Sequence, residues 1–181
     1  MNNVDFIIKL LLKRGHDTTF GATGGGAMFL MRHLEKKKNL ILFLLTTSNQ
    51  RQCCRSILPM KKKAAILSIT SGPGGTNAMG GVVEAWVDSV PILVISGQIS
   101  KIQISEGVRS FGVQGFNIIE NVLNITKYAV QVTNPQKIRY HLKKAIYMSR
   151  EGRPGPVWLD IPFDVQSVLI SPDRLEDFTP N

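Results

Sequence analysis

"AAILSITSGPGGTN", residues 64–77, runs an uninterrupted apolar stretch straight into Gly72, Pro73, Gly74 and Gly75. An apolar run without alternation is the signature of a strand covered on both faces. The glycines and proline that follow predict a sharp turn at its carboxyl end. "TTFGATGGG", residues 18–26, repeats the arrangement: a short strand over 18–20, then a glycine-rich turn over 21–26. Working outward, "LILFLL" (40–45), "PILVIS" (91–96), "YAVQV" (128–132) and "GPVWLDI" (155–161) read as further strands. Helical spacing is found at 3–14, closed by Gly15, and in "AMFLMRHLEKKK" (27–38) and "AMGGVVEAWVDS" (78–89). A last helix over 135–152 has Pro135 in its first turn and Gly152 at its stop. Strands that alternate with helices and are apolar throughout predict an α/β domain. Its sheet is doubly wound and mostly parallel, with about six strands and helices on both faces.

Length and composition agree. The chain has 181 residues, 43% of them apolar, enough for one well-packed domain. That domain is expected over 1–168, with the polar, proline-bearing stretch 169–181 as a linker leading away. No apolar run is long enough to span a membrane. "MNNVDFIIKLLLKRGHD" at the start reads as an amphipathic helix rather than a signal peptide, so the expected location is the cytoplasm. Cys53 and Cys54 are sequence neighbours, which disfavours a bond between them. His16, His33 and His141 are scattered and read as surface or helix positions without a metal role. The net charge of +9 is clumped in "EKKKN" (35–39), "MKKK" (60–63) and "HLKK" (141–144). These clumps lack interleaved aromatics and any recognition motif, so no nucleic-acid partner is expected, and no membrane partner either.

In a doubly wound sheet, ligands lie beyond the carboxyl ends of the strands. Both glycine-rich turns fall at such ends, where exposed backbone N–H groups approach a flat or anionic ligand closely. Neither turn is a Walker loop or a GxGxxG fingerprint.

Four stretches in order carry more: "FGATGGG" (20–26), "TSGPGGTNAMGGVVEAWVDSVPILVISGQ" (70–98), "YAVQVTNPQKIRYHLKKA" (128–145) and "REGRPGPVWLDIPFDVQ" (150–166). Together they resemble the N-terminal pyrimidine-binding domain of thiamine diphosphate-dependent enzymes, of the acetolactate synthase large subunit type, over residues 3–168. The resemblance implies a carboligase or decarboxylase of that type and a thiamine diphosphate cofactor, of which this domain would hold the pyrimidine end. Thr23, Gly24, Gly25, Thr70, Pro73, Gly74 and Asn77 would line the pyrimidine pocket, with Gln114 on the substrate side. Trp86 and Trp158 would serve core packing or dimer contacts. The resemblance places the Mg²⁺ and FAD sites in other domains; the family's metal motif, GDG followed by asparagine, does not occur in this sequence. It implies a homodimer, or pairing with a full-length relative.

The chain departs from the family pattern in one stretch. A glutamate that activates the cofactor's aminopyrimidine falls, in an ungapped comparison, on Thr47, and no acidic residue lies between Glu35 and Glu84. No catalytic residue is therefore assigned, and the isolated chain is expected to be inactive, with a non-catalytic interaction module as the alternative. One choice of codons for Cys54–Pro59, read one base later, spells Ala-Glu-Ala-Tyr-Ser-Arg, which fits the family pattern. A local shift of reading frame over about 46–59, restored near Met60, is the expectation this raises, although the shift does not return a glutamate codon at position 47. Val113 and Gly115, on either side of Gln114, also differ from the phenylalanine and glutamate common in relatives, which leaves the substrate open.

Overall fold

The computed structural model describes residues 1–37, 40–44, 65–104 and 112–180. Six strands form one sheet: β1 (Thr18–Gly21), β2 (Ile41–Leu44), β3 (Ala65–Ile69), β4 (Ile92–Gln98), β5 (Tyr128–Gln131) and β6 (Val157–Pro162). Their order is β2-β1-β3-β4-β6-β5, and all neighbours are parallel. The helices are α1 (Asn3–Lys13), α2 (Met28–Glu35), α3 (Pro73–Val87), α4 (Ile118–Val122), α5 (Ile138–Met148) and α6 (Phe163–Ser167).

Period-two alternation along the strands divides the core between two faces. Ile66, Leu93, Ile95, Val157, Leu159 and Ile161 point toward α1, α2, α5 and α6. Leu67, Ile69, Ile92, Val94 and Trp158 point toward α3 and α4. The central strands therefore need apolar residues on both faces, which is why they read as apolar runs rather than alternating ones. The ends of α1 are defined locally. Asn2 accepts from the Asp5 N–H at 2.8 Å as its N-cap, and Gly15, with φ 79°, turns the chain out of it.

The strand order sets where a ligand belongs. From β1 the chain passes to β2 on one side, then returns to β3 on the other side of β1. The carboxyl ends of β1 and β3 therefore flank a topological switch point.

Four expectations change. The helix after β3 starts at Pro73, its first residue, not at 78, so the turn is confined to Thr70–Gly72 and Asn77 lies inside the helix rather than at its cap. β2 is an edge strand, with Ile41, Phe43 and Leu44 exposed, not a strand buried on both faces. Phe43 stacks on Phe20 of β1, with ring centroids 5.1 Å apart. His16 is buried rather than on the surface. The tail beyond 168, expected to lead away, lies along the domain. Leu169 bridges Asn2, Ile170 and Leu175 are buried, Lys143 pairs with Asp177 at 2.5 Å, and Phe178 meets Tyr140 edge-on.

Candidate functional site

Three turns meet at the switch point. β1 runs into Gly24–Gly26, β3 into Thr70–Gly72, and the short turn Gly112–Gly115 leans on the second. Gly72 has φ 58°, and a Cβ there would lie 2.1 Å from the Val113 carbonyl oxygen. Only glycine allows that backbone conformation and that approach together. At Gly24 a Cβ would lie 2.4 Å from Thr70 Oγ1, so bare backbone faces the end of β3. Ser71 Oγ donates to Gln114 Oε1 at 2.8 Å and ties the third turn to the second. Gln166 Nε2 donates to the Gly26 carbonyl at 2.6 Å and to Ile161 O at 2.9 Å, fixing the first turn to the end of β6.

These turns enclose a cleft of about 400 Å³. Of the residues singled out from sequence, Gly24, Gly25, Thr70 and Gln114 line it. Thr23 is exposed beside it. Pro73 begins α3, Gly74 packs against Thr70 Cγ2, and Asn77 is exposed on α3, and none of these three is among the lining residues. Sequence reading missed Gly26, Ser71, Gln98, Ile99, Ser100, Gln103 and Phe163. Gln98–Ser100 follow the carboxyl end of β4, and Phe163 follows that of β6, so the strand-end rule applied to "PILVIS" and "GPVWLDI" would have found them. Trp158 is fully buried in the core, whereas Trp86 is 40% exposed at the far end of α3.

The cleft offers hydroxyls, carboxamides and backbone groups but no charge, since no carboxylate lines it among the described residues. Thr70 Oγ1 is buried without a hydrogen-bond partner. A buried hydroxyl left unpaired costs on the order of 1–3 kcal/mol, and this one lies against the Gly24 backbone. Glycine backbone, hydroxyls and carboxamides suit a flat, uncharged ligand, and no lining residue among those described supplies an acid. Position 47 lies outside the described residues, as does the segment 46–60. Among the described residues no group of three metal-ligating side chains occurs, and no helix is long and apolar enough to cross a membrane.

Behind the cleft lies a buried polar cluster. Asp160 of β6 is fully buried and accepts from Ser96 Oγ at 2.5 Å, Gln131 Nε2 at 2.9 Å and Gln98 Nε2 at 3.2 Å. Trp158 Nε1 donates to Ser96 Oγ at 2.8 Å. Burial pushes the Asp160 carboxyl up to about 6, against the downward pull of its three hydrogen bonds. A second cavity of about 490 Å³, near Trp86, Lys127 and Arg153, lies at the amino ends of the strands, away from the switch point.

Comparison with known proteins identifies the family. A family described as "Thiamine pyrophosphate enzyme, N-terminal TPP binding domain" matches residues 1–122. Acetolactate synthase 2, chloroplastic, of Nicotiana tabacum is 29% identical over 184 residues, covering 93% of this chain and 25% of that protein. The acetolactate synthase large subunit of Lactococcus lactis is 38% identical over 109 residues, covering 60% of this chain and 18% of that protein. That of Porphyra purpurea is 40% identical over 103 residues, covering 57% of this chain and 17% of that protein. The chain thus spans about a quarter of the length of the first of these relatives. A parallel sheet with glycine turns at its switch point, and a family match over two thirds of the sequence, place this chain among the thiamine pyrophosphate enzymes, as an N-terminal TPP-binding domain of the acetolactate synthase type.

Proposed function

We propose that the chain provides the pyrimidine-facing half of a thiamine diphosphate site in a carboligase or decarboxylase of the acetolactate synthase type, working in the cytoplasm. The observation that carries this is the cleft itself: bare backbone at Gly24 and Gly25, opposite the unpaired hydroxyl of Thr70, at the sheet's switch point. Gly24 and Gly25 would lie against the ring face, Thr70 would meet a ring-edge nitrogen or amine, and Gln114 would face the substrate. When bound, the cofactor supplies a carbanion sink for the cleavage or formation of bonds to a carbonyl carbon. The chain's own contribution is to position the ring and keep water from its face. Binding of the diphosphate with Mg²⁺, and of FAD, is left to other domains.

The isolated chain is inactive in this reading, because no described residue offers the acid that activates the pyrimidine. Titration of the ¹⁵N-labelled chain with thiamine tests the cleft. Millimolar thiamine is expected to shift the amides of Gly24, Gly25, Thr70 and Gln114. Shifts confined to the Trp86 cavity, or none, would overturn the assignment. Formation of acetolactate from pyruvate by the purified chain with thiamine diphosphate and Mg²⁺ would overturn the inactivity.

A second reading is a non-catalytic module that pairs with itself or with a full-length relative. It is favoured by Val83, Trp86 and Val87, which lie exposed together on the last turns of α3. Sedimentation of the chain as a monomer at all concentrations, and no complex with a relative, would remove it.

A further inference from the structure

The segment 112–117, which brings Gln114 to the wall of the cleft, is held from behind by the Gln98 side chain. Gln98 Nε2 donates to the Phe116 carbonyl at 3.1 Å and also to Asp160 Oδ2 at 3.2 Å. Its Oε1 accepts from the Ile99 N–H at 2.9 Å. The carboxamide is thereby fixed in orientation, with Oε1 committed to the chain after β4 and Nε2 split between the wall and the buried acid. If the carboxamide turned over, its oxygen would face two acceptors, so the Asp160 carboxylate determines which end points at Phe116.

We infer that Asp160 is a positioning residue: through Gln98 it sets the placement of residues 112–117, and hence of Gln114, over the cleft. The groups that face the carboxylate are uncharged: Ser96 and Gln98 from β4, Gln131 from β5, and Trp158 of its own strand, which acts through Ser96. Asp160 touches no ligand-facing surface. It lies beneath the cleft, and only Gln98 connects it to the wall. Ser71 holds the same wall from the other side, at Gln114. The functional weight of this rests on the cleft being the cofactor site, but the geometry can be tested without any ligand.

Gln98 and Gln131 each give Asp160 one hydrogen bond, yet only Gln98 reaches the wall. Amide hydrogen exchange in 112–118 is therefore measured for the wild type, Q98L, Q131L and D160N. Q98L and D160N are expected to speed exchange of the Phe116–Ile118 amides about tenfold or more, while amides of α1 and α5 keep their protection. Q131L is expected to leave 112–118 unchanged. Equal loosening by Q131L and Q98L, or exchange in D160N raised alike across the sheet, would reduce Asp160 to a core residue and overturn the inference. Should D160N fail to fold, the wild type decides by NMR. The Gln98 side-chain amide and the Asn117 N–H are expected to titrate with the same midpoint as the Asp160 carboxyl. A wall amide indifferent to that titration would overturn the inference. None of these readouts involves thiamine, so failure of the cofactor assignment would leave them standing.

Discussion

Asp160 makes the stability of this domain depend on pH in the direction opposite to most carboxylates. Its carboxyl has no cation beside it, and burial raises its pKa from 3.8 to about 6. Each unit of displacement corresponds to about 1.36 kcal/mol, so the folded state loses about 3 kcal/mol when this group ionises. Because the folded pKa lies above the unfolded one, the folded chain holds the proton more tightly. The contribution is fully present below about pH 4, is lost as pH rises through about 6, and stays lost above. Other carboxylates work the other way. Asp177, for example, is held below the ordinary range by Lys143. The assay must therefore isolate Asp160, by urea unfolding of wild type and D160N across pH 4–8, followed by tryptophan fluorescence. The difference in unfolding free energy, wild type minus D160N, is expected to fall by about 3 kcal/mol between pH 4 and pH 7.5. A difference that is flat, or that rises with pH, would refute the reasoning. So would a ¹³C titration of the wild-type chain that placed the Asp160 carboxyl at the ordinary value.

Gly97 lies under the first cleft turn, where a Cβ would sit 2.0 Å from the Gly26 carbonyl oxygen. Backbone cannot yield as a side chain does, so Gly97→Ala should cost about 3 kcal/mol, seen as a drop in thermal midpoint and faster exchange over 24–27. Leu175 is buried against the α1/α5 side of the core. Leu175→Ala should cost about 2–4 kcal/mol by chemical denaturation, and no loss would show that the tail is a mere linker. The nucleotide sequence from codon 44 to codon 62 is expected to spell, one base out of frame, the family's helix over 54–59. A reading that spells nothing of the kind would make the glutamate-free segment genuine.

The sheet was legible because the central strands carry apolar residues on both faces over most of their length, and the structure shows why: the two faces pack against different helices. Trp158 and Leu159 are neighbours in sequence but belong to opposite cores. β2 has the same apolar look but lies at the sheet edge, and composition alone does not separate a central strand from an edge one. The start of α3 was misplaced because glycine and proline read as turn residues, although proline is at home in a helix's first turn. Gly24, Gly25, Thr70 and Gln114 were found by motif. Gln98 was not, because its role comes from what lies behind it. Its partners Phe116 and Asp160 are distant in sequence, and nothing in "ISGQ" announces a carboxamide divided between a cleft wall and a buried acid.

Under the proposed function, the same contrast explains what this cleft can and cannot do. Its polar surface at the cleft consists of hydroxyls, carboxamides and backbone, while the one fully buried acid among the described residues, Asp160, lies behind the cleft and accepts three hydrogen bonds. An acid so placed stiffens the wall but exchanges no proton with a ring in the cleft. The described residues can orient a flat cofactor ring and leave its protonation to a group elsewhere. A glutamate at position 47 would be the obvious group, and the sequence has threonine there. The one-base shift that spells the family pattern over 54–59 does not return a glutamate codon at position 47, so a restored frame alone leaves threonine there and the acid must still come from another group.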